Sequence, residues 1–329
     1  MGALTAGSAR AQEVPTRPAL LTDMIVAAGK AREGYPITSV AFSPNGEMLA
    51  AANHFDLRLW DTATGKELVA PKAETDVRGS DIQYLTVGFV ANGSQLLAGG
   101  SSKKTRRWSL PELTEREMPD AVRGGISLTG DGKFVCASNN KEITLWRTAD
   151  WKPLRIFTHP NARGGGEFSP DGQWISAGEM MLPTIYPPDY SPYIMVWNAA
   201  TGEEFMRDKN FGAIAFSPDS KYFVKSGVSL YEMANQKLLH RLDYEKLTPG
   251  AIAFSPDGKL VAAACFDAGR IATGYESAEL RFWDTATGKL VYRVSEAGKT
   301  VLAIAFSPDG SRFAAGRRDG SVRIWQVAK

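Results

Sequence analysis

Three histidines, two cysteines and one out-of-place carboxylate are the residues from which chemistry would have to be built. His54, His159 and His240 lie far apart and never take the H-E-x-x-H spacing that sets two imidazoles on one helix face for zinc. Cys136 in KFVCAS and Cys265 in AAACFD each sit inside an apolar run, where a lone thiol behaves as a small buried hydrophobe. Two cysteines also exclude a disulfide scaffold or a multi-cysteine metal site. No G-x-S-x-G elbow, Walker loop or dinucleotide fingerprint occurs. Gly164-Gly165-Gly166 has the look of a phosphate cradle, but it runs straight into EFSPDG, with no helix behind it to supply a dipole. Carboxylates fall mostly in turns, and no pair stands out as general acid and base. The sequence predicts neither a catalytic set nor a metal or cofactor.

The elements that would position any site are repeats. FSPNG occupies 42–46, and FSPDG recurs at 168–172, 254–258 and 306–310. FVANG at 89–93, LTGDG at 128–132 and FSPDS at 216–220 are weaker copies. Seven starts between 42 and 306 give a mean spacing of 44 residues, inside the roughly 40–45 of propeller blades. Each copy reads as four short apolar runs divided by turn chemistry, a four-stranded antiparallel meander. Proline presets φ at the second turn position, aspartate accepts local N–H bonds, and glycine supplies a positive φ. The third run ends in an aromatic: Trp60, Trp108, Trp146, Trp197, Tyr231, Trp283 and Trp325. DTATG then turns the chain at 61–65 and 284–288.

On these motifs the chain, from about residue 37 to 325, resembles the WD-repeat β-propeller family with bacterial-style repeats. Trp60-Asp61 and Trp283-Asp284 carry the signature dipeptide itself. The resemblance implies an all-β fold: a seven-bladed propeller of four-stranded antiparallel blades, one domain over 19–329. The seventh copy holds only three strands, so the segment Leu20 to Ala27 is expected to supply its fourth and close the ring. Two family features are thin here. His159 alone matches the family's histidine, as a structural turn residue, and its partner aspartate appears only at Asp319. The family role implied is a non-catalytic protein-binding scaffold or a subunit of a larger complex; the alternative is a channel-site enzyme or small-ligand binder centred near Glu167.

Composition fits that class. The chain has 329 residues, 43% apolar and 22% charged, as expected of a globular core-forming protein. Lys plus Arg number 38 against 36 Asp plus Glu, and a net +2 gives no bulk field for nucleic acid. No apolar run reaches the ~18 residues of a membrane helix. Residues 1–18 fit two readings, a flexible tail or a signal-peptide remnant. Ala9-Arg10-Ala11 has a cleavage-site look, but residues 1–8 lack the basic start and apolar stretch that precede one. Cytoplasmic and exported locations both stay open.

Three departures from the repeat mark candidate sites. First, about ten extra residues separate the second and third runs of copies four and six. Strand alternation puts both insertions on one face of the disc. They carry Met180, Met181, Leu182, Tyr186, Tyr190 and Tyr193, and Phe266, Arg270 and Tyr275, residue types suited to an interface with a protein partner. Second, the residue before the inner-strand Phe or Leu is small in six copies but Glu167 in the fourth, a carboxylate that would face either the water-filled channel or a neighbouring blade. Third, the residue before the third-strand aromatic is apolar in six copies but Arg107 in the second, where Lys103, Lys104 and Arg106 extend a basic edge. A guanidinium there needs a carboxylate or an escape to solvent.

Overall fold

The computed structural model describes residues 21–27, 35–53, 56–68, 84–100, 104–139, 142–159, 166–178, 194–209, 214–225, 229–245, 247–267, 277–297 and 300–328. Strand β1 (Leu21–Ala27) precedes the repeats. Blade one holds β2 (Ser39–Phe42), β3 (Met48–Ala52) and β4 (Leu57–Asp61); blade two holds β5 (Tyr84–Val90), β6 (Gln95–Gly100), β7 (Arg106–Ser109) and β8 (Thr114–Arg116). Blade three is β9 (Gly125–Leu128), β10 (Phe134–Asn139), β11 (Glu142–Arg147) and β12 (Lys152–Thr158). Blade four is β13 (Gly166–Phe168), β14 (Trp174–Ala177), β15 (Ile194–Asn198) and β16 (Glu204–Asp208). Blade five is β17 (Ile214–Phe216), β18 (Tyr222–Lys225), β19 (Ser229–Glu232) and β20 (Leu238–Arg241). Blade six is β21 (Thr248–Phe254), β22 (Leu260–Phe266), β23 (Ser277–Asp284) and β24 (Leu290–Ala297). Blade seven is β25 (Val301–Phe306), β26 (Arg312–Arg317) and β27 (Val322–Val327).

Each sheet is an antiparallel meander, and β1 pairs with β27 to give the seventh blade its fourth strand. In blade one the fourth strand begins at the Trp60–Glu67 bridge, where the Leu68 N–H donates to the Leu59 carbonyl at 2.8 Å. The inner strands β2, β5, β9, β13, β17, β21 and β25 pack side by side, and β25 returns to β2. The fold is a closed seven-bladed propeller. Among the described residues no helix is long and apolar enough to cross a membrane.

Period-two alternation explains how the sequence fills the seams. Successive side chains on a strand point to opposite faces, so a third-strand aromatic and its predecessor enter different seams. Trp60 packs between blades seven and one with Leu49 and Ile324, whereas Leu59 packs between blades one and two with Leu96 and Trp108. Leu145, Val196, Leu230, Phe282 and Ile324 repeat the second role and are all buried. Each such burial stabilises by about 1.5–3 kcal/mol.

The turns are wired by side chains as well as backbone. Ser169 Oγ donates to Asp171 Oδ1 at 2.5 Å and accepts the Trp174 N–H at 3.0 Å, while Asp171 Oδ1 accepts the Gln173 N–H at 3.0 Å. Ser217, Ser255 and Ser307 repeat the set, and Thr129 substitutes for serine in blade three. Blade two has neither partner in FVANG, and turns through Ala91 and Asn92 at φ 50° and 54° instead. Left-handed backbone at a residue with a Cβ costs roughly 1–2 kcal/mol.

Candidate functional site

Both insertions leave the same face. They join β14 to β15 and β22 to β23, opposite the Ser-Pro-Asp-Gly turns, and so flank blade five. Met180, Met181, Leu182, Tyr186, Tyr190, Tyr193, Arg270 and Tyr275 lie outside the described residues. Phe266, at the end of β22, is half-buried and stands in register with Thr248 and Ala278. A Cβ added to Gly250 would come 3.1 Å from Phe266 Cε1, so the ring lies over the inner strand of its own blade.

The third strand of blade six carries a buried residue that the sequence reading did not single out. Arg281 is only 1% exposed, and its Nε donates to Glu279 Oε2 at 2.8 Å and its Nη2 to Glu245 Oε2 at 2.9 Å. Trp283 Nε1 donates to the Asp243 carbonyl at 3.2 Å, tying the connector between blades five and six to the same strand. Burial works against the Arg281 charge, but the bonds to Glu245 and Glu279 outweigh it and hold its pKa above the ordinary value. The signal in the sequence was an arginine two places before the third-strand aromatic, at Arg58, Arg106, Arg281 and Arg323. Arg58 and Arg106 reach the fourth-strand carboxylates Glu67 and Glu115. Arg281 faces Arg293 in register and turns to Glu279 and the connector instead.

Glu167 lies where its neighbours in the repeat lie, in the central channel. It lines a cavity of about 380 Å³ together with Ala41, Gly88, Ser127, Thr86 and Pro44. The inner strands crowd this position: a Cβ on Gly88 would come 2.2 Å from Leu128 Cδ1. The Glu167 side chain has open surface, yet that surface faces a channel ringed by protein, and desolvation pushes its carboxyl up to about 7. Among the described residues no cation or N–H compensates it. A folded-state pKa above the ordinary 4.5 favours the fold below pH 4.5, and that contribution is lost as pH rises through about 7. Glu167→Gln should therefore raise the melting temperature at pH 8, by about 1–2 °C once screening by channel water is counted, and leave it unchanged at pH 4. Equal shifts at both pH values would show that the carboxyl does not titrate between them.

The basic edge of blade two divides. Lys104 pairs with Asp120 at 2.9 Å and Arg106 with Glu115, surface pairs that solvent screens. Lys103 lies outside the described residues. Among the described residues Arg107 meets no carboxylate: its Nη2 donates to the Glu117 carbonyl at 2.7 Å, and its Cζ sits 5.3 Å from the centroid of Trp151. The remaining candidate chemistry is inert. Cys136 and Cys265 are buried, and burial pushes the Cys265 thiol up to about 12. His159 is buried edge-on to Trp197, with centroids 6.1 Å apart. His240 Nε2 bonds the Ala286 carbonyl at 2.9 Å. No group of three His, Cys, Asp or Glu that could hold a metal occurs among the described residues.

The WD domain, G-beta repeat pattern matches residues 29–61 and 288–326, the two stretches that contain or abut the Trp-Asp copies. The serine-threonine kinase receptor-associated protein of Gallus gallus is 25% identical over 283 residues, 84% of this chain and 62% of that one. The periodic tryptophan protein 2 homolog of Schizosaccharomyces pombe is 23% identical over 299 residues, 85% of this chain and 31% of that one. The chain thus spans about three-fifths of the first relative and under a third of the second. In the structure the signature aspartates organise turns: Asp61 Oδ1 accepts the Thr64 hydroxyl and N–H, both at 2.7 Å, and Asp284 does the same for Thr287. With seven repeats forming seven blades, the chain is a seven-bladed β-propeller, and two stretches of it match the WD domain, G-beta repeat.

Proposed function

We propose that the protein is a non-catalytic scaffold that holds a protein partner on the face bearing the insertions of blades four and six. One observation carries this reading: two long connections leave one face on either side of blade five. Functional loops on a rigid frame are the common arrangement of binding surfaces. Names of related WD-repeat proteins, among them a receptor-associated protein, agree with a role in association.

The test uses a partner recovered by affinity purification and then titrated in a calorimeter. Tyr186→Ala and Tyr190→Ala should each weaken binding by about 1–3 kcal/mol and leave melting unchanged. Arg270→Ala and Tyr275→Ala should weaken it too, whereas Lys66→Ala and Lys289→Ala, beside turns of the opposite face, should not. If the tyrosine variants lower stability and leave affinity intact, the loops pack on their own blades and this face is not the site.

A second reading rests on the Glu167 cavity, which suits a small cation-bearing ligand. Calorimetric binding of a small primary amine that disappears in Glu167→Gln would favour it, and no heat in either protein would remove it.

A further inference from the structure

One departure from the repeat and one strained tryptophan meet at the seam between blades two and three. In the other six copies the residue before the third-strand aromatic fills the next seam with apolar atoms; β7 places Arg107 there. In the turn from third to fourth strand, blades two and five place Leu113 and Gln236 at φ 52° and 57°, and blades one, four and six use Gly65, Gly202 and Gly288 at φ 68°, 79° and 68°. The N–H of each of these glycines returns to the first carbonyl of the turn at 2.8 Å. Blade three makes the same bond, Trp151 N–H to Arg147 O at 2.8 Å, with a tryptophan held at φ 54°. A bulky side chain in the left-handed region is strained, and it persists only where its surroundings over-determine it. Here the indole packs on the cluster of Val90, Leu97, Val122 and Trp146, and its ring lies against Arg107.

The pair is incompletely satisfied. Arg107 Nε and Trp151 Nε1 are both buried with no acceptor among the described residues. The nearby carboxylates are engaged elsewhere: Glu115 by Arg106, Asp120 by Lys104, and Asp150 by Arg147 at 2.7 Å. Directly across the ladder stands Arg116, a second cation on the exposed strand β8, whose Nε donates to Ser109 Oγ at 2.6 Å. Burial and that neighbouring charge depress the Arg107 pKa. Arg107 keeps part of its surface in solvent, while its Nε and the Trp151 Nε1 lie below that surface. What the seam lacks is a negatively charged acceptor.

We propose that this seam receives a carboxylate side chain from an acidic peptide segment of a partner, with Arg107 and the Trp151 indole N–H as donors and Arg116 as the attracting charge. Trp151 sits in a third-to-fourth-strand turn, on the face opposite the insertions, so this surface is distinct from the one proposed above and stands without it. One guanidinium, with Nη2 on the Glu117 carbonyl and Nε unmatched, suits one carboxylate.

Hexaglutamate titrated into the full chain tests this, followed through the ¹⁵N-indole resonance of Trp151, assigned with Trp151→Phe. That resonance should move saturably, and Arg107→Leu should weaken binding by about tenfold or more. Arg107→Leu should melt no lower than the parent, because six blades already carry an apolar side chain at that place. Trp151→Gly, which restores the glycine of blades one, four and six, provides a second folded variant and should also bind more weakly. The proposal is overturned if hexaglutamate leaves the resonance in place, or if both variants bind it as well as the parent. It is overturned equally if inorganic phosphate reproduces the shift, which would mean an adventitious ion only.

Discussion

Removal of residues 1–28 is expected to open the ring and to lower the melting temperature by about 5–10 °C, whereas removal of 1–12 should be nearly silent. The physical cause is β1. It matches six residues of β27 in antiparallel register, from Leu21 opposite Val327 to Ala27 opposite Val322, with one irregularity between Asp23 and Ile25. A net ~0.5–1.5 kcal/mol per hydrogen bond makes the lost ladder worth about 3 kcal/mol or more before any packing is counted. Without it β27 becomes an unpaired edge, open to pairing with other chains. Thermal melts of the two truncations beside the full chain decide the matter. If both melt with the full chain, β1 does not hold the ring shut.

Trp283→Ala should be the most damaging single substitution, at about 3–5 kcal/mol. Trp283 is fully buried between blades five and six with Val261, Ala263 and Leu230. Its indole also donates to the Asp243 carbonyl, which Arg281 Nη1 approaches at 3.4 Å. Trp283→Phe separates the two contributions, because it keeps most of the packing and loses only the bond, for about 1 kcal/mol. Urea denaturation of both variants gives the comparison. A phenylalanine as harmful as alanine would mean that the connector bond, rather than the buried ring, holds this seam.

How much of this was legible in the sequence depended on the range over which each feature acts. Turn residues, strand ends and the aromatic at the third strand are local, so the FSPDG-like turn and the closing aromatic together marked all seven blades. The missing fourth strand of blade seven pointed to β1, because Leu20 to Ala27 was the one apolar run without a place. Glu167 stood out because its counterparts are small, and the structure places it in the channel with Ala41, Gly88 and Ser127. Arg107 was visible as an oddity, but not its partner. Trp151 belongs to the next copy, and a copy read by itself does not show what the adjacent blade lays against it. Arg281 looked like any solvent-facing strand arginine until Arg293, opposite it, and the connector carboxylate of Glu245 were placed around it. The aromatic insertion residues, apart from Phe266, lie outside the described residues, and the reading of that face rests on where the loops begin and end.

The pairing of β1 with β27 also sets a timetable for synthesis. Within each blade, strands meet partners a few tens of residues away, but Leu21 meets Val327 across about 300 residues. Lengthening a closed loop from roughly 40 to 300 residues adds only ~2 kcal/mol of entropy, so the finished ring tolerates the distance well. The ribosome does not. At about 5–20 residues per second, β1 waits roughly 15–60 s for β27. Through that interval its backbone has no blade to join, and a chaperone or a neighbouring nascent chain has its one opportunity to take the place of β27.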